Sequence, residues 1–183
     1  QHDAHELLIT LLNAVHTEVA ATPAPKPSAA TEQQQQSAPC KCIVHRTFGG
    51  TLRSDVTCTR CGEQSTTLDP FIDISLDVPK QETSPGGARA STSLATDVEL
   101  CTLAACLERY TRQETLAQSD RYACSQCNDR CDSVKQLSFA KLPNVVCFHL
   151  KRFEHTQTRR MFGKIETRVD FPCTIDLSRF TPR

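Results

Sequence analysis

Apolar residues recur at helical spacing near the start of the chain. Leu7, Leu8, Leu11, Leu12 and Val15 share one face, and Asp3 and Glu6 lie at the end where a helix favours negative charge. The pattern predicts an amphipathic helix over 3–19, and then it stops. Residues 20–39 carry Pro23, Pro25, Pro27, four glutamines from Gln33 to Gln36, and many Ala and Ser. Such a segment buries too little apolar surface to offset the entropy of ordering it, so a disordered insert is expected. Alternation begins again from Phe48 to Val56, a predicted strand leading to Cys58. From Leu68 to Val78, Ile72, Ile74, Leu76 and Val78 alternate with Asp73, Ser75 and Asp77, the mark of a half-buried strand.

Residues 79–97 are again rich in Pro, Gly, Ser and Thr and read as a second disordered insert. Thr96 or Asp97 can cap a helix to about Tyr110, with Leu100, Leu103, Ala104 and Leu107 inward. Cys101 and Cys106 on that helix read as small core residues. Val134 to Phe139 and Val145 to Phe153 are strand-like, with Pro143 and Asn144 as the turn between them. Val169 to Pro172 ends a last strand.

The chain of 183 residues is long enough for one domain with its own core. Lys plus Arg and Asp plus Glu balance at 21 each, which removes any overall field toward nucleic acid or an anionic membrane. No apolar run reaches the length of a membrane span. The eleven cysteines are odd in number, follow no secretory signal, and include pairs at metal-ligand spacing. They point to a reducing compartment, nucleus or cytosol, rather than to a disulfide framework. The helical pattern is already under way at Gln1, without an initiator Met, so the chain reads as an excerpt from a longer protein.

Two C-x-x-C knuckles, Cys58 with Cys61 and Cys124 with Cys127, provide the four thiolates of a tetrahedral zinc site. Four protein sulfurs leave no open position, so the site is structural. A second cluster, Cys40, Cys42 and His45, offers three ligands within six residues and needs a fourth. His16 on the first helix is the favoured fourth ligand, with Cys131 and Cys173 as rivals. His2 and His5 stand three apart, not four as in H-E-x-x-H, and read as surface histidines. His149 reads as a satisfied sheet histidine, not as a catalytic partner for Cys147.

These residues, in this order, resemble the ubiquitin-specific protease family of cysteine deubiquitinases. Gln1 to Leu8 resembles the family's Q-Q-D-A-H-E-F-L box, departing at His2 and Leu7. Asp55 to Cys61 with Phe71 to Leu76 resembles the first fingers knuckle and its strand, and Leu103 to Cys127 the helix and second knuckle. Leu142-Pro143 through Leu150-Lys151-Arg152-Phe153, then Phe171-Pro172, resembles the palm strands. Phe148 to His155, and the cluster at Cys40, Cys42 and His45 with a helix histidine like His16, further resemble the subgroup that serves the SAGA transcriptional coactivator.

The resemblance implies an α+β, partial papain-like fold in one partial catalytic domain over 1–183. The thumb helix is 1–19, the fingers and adjoining elements 40–78 and 98–140, and the palm strands 141–183. It implies two structural zincs, and ubiquitin and a ubiquitinated histone as partners, in the nucleus with SAGA-type subunits. Asp3 and Glu6 would meet the arginines of ubiquitin's tail. The family's nucleophile box lies upstream of the Gln1 motif and its histidine box downstream of the palm, so no catalytic residue is assigned and the chain alone is expected to be inactive. Two other readings share these features: an inactive ubiquitin-binding scaffold of the same fold, and an unrelated zinc-ribbon interaction module.

Overall fold

Helical and alternating patterns combine into an α+β fold in the computed structural model, which describes residues 4–21, 40–79, 101–116, 118–155 and 162–182. Both predicted inserts lie outside the described residues except at their first positions. In chain order the elements are α1 (Ala4–Ala21), α2 (Ile43–Phe48), β1 (Gly50–Cys58), β2 (Gln64–Phe71), β3 (Ile74–Asp77) and α3 (Leu103–Tyr110). They continue with β4 (Glu114–Thr115), β5 (Tyr122–Cys124), β6 (Asp129–Cys131), β7 (Ser133–Lys141), β8 (Phe148–Lys151), β9 (Phe153–His155) and β10 (Phe162–Lys164).

An antiparallel sheet in the order β2-β1-β7-β4 forms an arm. β1 and β7 pair from Thr51 opposite Lys141 to Cys58 opposite Ser133, so the arm is about as long as a nine-residue strand, roughly 30 Å. Where the arm meets the body, Gly50 lies under the ring of Phe71. A Cβ there would fall 2.3 Å from the ring, so no other residue fits without moving it.

The body packs around the parallel pair β3–β8. Ile74 and Leu76 face inward with Phe139, Leu107, Cys101, Cys106, Ile165, Val169 and Phe180. Ser75 opposite His149 and Asp77 opposite Lys151 occupy the other face, where the Lys151 ammonium meets Asp77 at 3.1 Å. Arg152, just past β8, donates to the carbonyls of Ile165 and Thr167 at 3.1 and 2.6 Å, and Thr167 Oγ1 donates to the carbonyl of Pro79. One guanidinium thereby gathers the end of the palm ribbon to the returning chain.

Several elements depart from the sequence pattern. The single strand expected from Leu68 to Val78 breaks at Ile72 and Asp73, because β2 pairs with β1 in the arm while β3 turns away to pair with β8. The helix ending at Tyr110 begins at Leu103, capped by Thr102, whose Oγ1 accepts from Ala105 N at 3.1 Å. Positions 96, 97 and 100 lie outside the described residues. The stretch from Val145 to Phe153 divides into β8 and β9 around Arg152, and only Asp170 of residues 169–172 pairs, bridging to Thr102. On α1, Leu8 and Leu12 are half-buried, but Leu7, Leu11 and Val15 of the predicted apolar face are exposed. No helix among the described residues is long and apolar enough to cross a membrane.

Candidate metal centres

Each knuckle is the turn of a hairpin. In the first, joining β1 to β2, Gly62 N donates to Cys58 O and Cys58 N to Glu63 O, and Gly62 takes φ +77°, which favours glycine. In the second, joining β5 to β6, Asn128 takes the equivalent left-handed position at φ 49°. The two tips are tied by Thr59, whose N–H and hydroxyl both donate to Asp132 O at 3.0 and 2.8 Å.

This brings Cys61 Sγ to 3.5 Å from Cys124 Sγ, and Cys58 Sγ to 4.0 Å from Cys127 Sγ. Sulfurs around a tetrahedral zinc at 2.3 Å stand about 3.8 Å apart, so the spacing fits that ion. Backbone N–H groups of Cys61 and Arg60 aim at Cys58 and, against the cost of burial, lower its thiol to about 6. Hydrogen bonding to the Cys61 sulfur, then burial, pushes Cys127 up. Four adjacent thiolates repel one another, and a dication removes that penalty. Glu63, which the sequence reading missed, links the two tips: it accepts from Ser125 Oγ at 2.7 Å and from Gln126 N at 3.0 Å. A carboxylate just after the first knuckle was the available signal.

The second cluster forms where α1 crosses α2. Cys42 caps α2, its sulfur accepting from His45 N at 3.5 Å, a helix start hidden inside the C-x-C-x-x-H pattern. Cys42 Sγ lies 3.1 Å from His45 Nδ1 and 3.3 Å from His16 Nδ1, and Cys40 Sγ lies 3.7 Å from His16 Nδ1. Nitrogen and sulfur ligands of one zinc stand about 3.6 Å apart. Burial opposes ionisation of Cys42, but hydrogen bonds from the His45 backbone and ring, then from His16 and Cys40, outweigh it and bring the thiol to about 6. Of the rival fourth ligands, Cys131 is buried beside Cys58 and Cys124 at the fingertip, and Cys173 is exposed and outside the cluster.

The remaining predicted residues fall as follows. Asp3 lies outside the described residues, and Glu6 is exposed in the first turn of α1. Cys101 and Cys106 are core residues with sulfurs 3.7 Å apart, and burial, then Cys101, raises the Cys106 thiol to about 11. His149 is in β8, bonded to Ser75 Oγ at 3.0 Å. His5 is not the surface histidine expected: it is half-buried and bonded to Asp73 at 2.8 Å.

The family described as ubiquitin carboxyl-terminal hydrolase matches residues 1–183. Ubiquitin carboxyl-terminal hydrolase 22 of Homo sapiens is 42% identical over 186 residues, covering 98% of this chain and 34% of that protein. Ubiquitin C-terminal hydrolase 22 of Arabidopsis thaliana is 38% identical over 184 residues, covering 98% of this chain and 32% of its own. The chain therefore spans about a third of the length of these curated relatives. Among solved structures, the SAGA Ubp8/Sgf11/Sus1/Sgf73 DUB module bound to ubiquitin aldehyde includes a chain that superposes with a TM-score of 0.74 at 30% identity, covering 100% of this chain and 33% of that one. With a family match along its whole length, the chain belongs to the ubiquitin carboxyl-terminal hydrolase family.

Proposed function

We propose that this chain is the ubiquitin-gripping portion of a thiol-dependent deubiquitinase that hydrolyses the isopeptide bond after ubiquitin's C-terminal glycine. In such an enzyme a cysteine thiolate, activated by a histidine that an acidic or amide residue orients, attacks the isopeptide carbonyl. The amine departs with a proton from the histidine, and water hydrolyses the acyl-enzyme. None of the eleven cysteines here is assigned as that nucleophile.

The observation that carries the reading is the family match running through residues 1–183. In this reading 1–19 is the thumb helix, 40–78 and 98–140 the fingers with adjoining elements, and 141–183 the palm. Cys58, Cys61, Cys124 and Cys127 would hold one zinc, and His16, Cys40, Cys42 and His45 another. Each would supply a cross-link and no chemistry, since each set of four ligands closes its site. Asp3 and Glu6 supply carboxylates to the arginines of ubiquitin's tail through charge-assisted hydrogen bonds. The SAGA likeness supports a nuclear enzyme acting on monoubiquitinated histone with subunits of the Sgf11, Sus1 and Sgf73 type. Direct nucleic-acid contact is not part of the reading.

A ubiquitin-based covalent probe tests it. The intact gene product should form a one-ubiquitin adduct, and residues 1–183 alone should bind ubiquitin without forming one. Ubiquitin binding with no adduct in the intact protein would make it an inactive scaffold. Absence of ubiquitin binding would overturn the reading.

A further inference from the structure

His5, Asp73 and His149 come from three parts of the chain and meet outside both cysteine clusters. The parallel register of β3 and β8 sets Ser75 opposite His149. Asp73, two residues before Ser75, shares that face by the period of an extended chain. Ile74 and Leu76 fill the core side of the same ribbon, so the polar side is turned toward α1. There His5 Nε2 lies 2.8 Å from Asp73 Oδ2, and the His5 ring stacks on that of His149, centroids 3.9 Å apart and planes 4° from parallel. One donor atom from each of the three residues lies within 4.8 Å of the other two.

We propose that His5, Asp73 and His149 form a third metal site, a two-histidine, one-carboxylate set that takes a divalent first-row ion, with zinc as the reference ion and water completing its shell. Three features of the site support it. The ligand types suit such an ion, with two imidazoles and a carboxylate brought together at a half-buried position. The donors are within reach of the roughly 3.3 Å that separates ligands of a tetrahedral zinc. The two rings, now stacked 4° from parallel, must rotate out of their stack, and the His5–Asp73 pair must open, for both lone pairs to meet one ion. The outer partner is in place, because Ser75 Oγ lies 3.0 Å from His149 Nδ1. With Nδ1–H donated to that oxygen, Nε2 carries the lone pair, the arrangement by which proteins orient a metal-binding imidazole. With His5 Nε2 as the ligand atom the ring carries its proton on Nδ1, and no oxidation state changes. Cys147, just before β8, is not among the grouped donor atoms.

The ion would join the first turn of α1 to the β3–β8 ribbon and so fix the orientation of Glu6, the next residue after His5. Its open water position and lack of thiolates make it an exchangeable site, unlike the two closed cysteine-containing ones.

Metal uptake is measured without ubiquitin, so it stands or falls separately from the deubiquitinase reading. Residues 1–183 are purified with their cysteine-held zinc, dialysed against metal-free buffer, and titrated with Zn2+ by calorimetry and with Co2+ by absorbance. One equivalent should bind beyond those held by cysteine, with a Co2+ spectrum free of thiolate charge transfer. Asp73→Asn and His149→Ala should each abolish that equivalent while the tightly held zinc stays, and Ser75→Ala should weaken it roughly tenfold. Should His149→Ala release the tightly held zinc by unfolding, the near-isosteric Asp73→Asn decides. No further equivalent, a thiolate spectrum, or an equivalent that survives Asp73→Asn unchanged overturns the site.

Discussion

Cys61 Sγ lies 3.5 Å from Cys124 Sγ, although 63 positions separate them in the chain. The contact joins the tips of two hairpins that are also linked by hydrogen bonds at Thr59 and Glu63 and by the exposed Arg60–Asp129 pair. A zinc between them would contribute on the order of 10 kcal/mol of binding free energy, all of it available to the folded fingertip. Cys124→Ser should therefore lose one zinc and free the amides around residues 58–63 and 122–132 to exchange, while Leu107 and its core neighbours stay protected. Hydrogen exchange followed by mass spectrometry reads both halves. Protection retained at the tips would remove the clamp.

The second cluster answers to a different helix. His16→Ala should lose one zinc and loosen α1 from α2, leaving the fingertip zinc in place. Cys131→Ala should leave both zincs bound, since Cys131 packs beside the fingertip and lies outside both ligand groups. Zinc content of the two variants separates His16 from its rival directly.

Asp55 on β1 accepts from Thr66 Oγ1 at 2.6 Å and from Arg53 Nε at 2.8 Å. Burial opposes its charge, but the hydrogen bonds from Thr66, then Arg53 and Gln64, win and hold its carboxyl below the ordinary range. A folded value below the unfolded one gives stability that is complete above the unfolded pKa of about 3.9 and is lost as pH falls through the folded value. Wild type should exceed Asp55→Asn in stability near neutral pH, and the gap should close in acid below that unfolded value. Urea unfolding of both proteins from pH 7 to pH 3 checks the sign, and a gap that widens in acid would contradict it.

Asp3→Ala and Glu6→Ala, made in the intact enzyme, should each raise KM for ubiquitin substrates by about tenfold, the loss of one hydrogen bond to a charged partner. Steady-state kinetics reads this. Unchanged kinetics removes that residue from the contact with ubiquitin's tail.

Much of this fold was legible because short-range spacing carried it. The alternation at Ile74, Leu76 and Val78, the two C-x-x-C turns, and the helical row containing His16 each state a local geometry. Where the chain changes partners, local pattern gave no sign: nothing between Leu68 and Val78 reveals that the strand leaves β1 at Ile72 to pair with β8. The α2 helix was masked because Cys42 serves both as its cap and as part of a metal-like pattern. The His5, Asp73 and His149 group was out of reach for the same reason as the strand break. It exists only through the parallel β3–β8 register and the placing of α1 above it. His5 on an exposed-looking helix turn gave no hint of a partner 68 residues away.

Metal analysis of residues 1–183 after exhaustive dialysis against metal-free buffer shows whether two closed zinc clamps shape this chain for gripping ubiquitin. Two zinc ions per chain are expected, both released together with unfolding of the fingertip when a strong chelator is added. One zinc would remove the clamp at His16, Cys40, Cys42 and His45, and a folded chain with no zinc would remove both clamps.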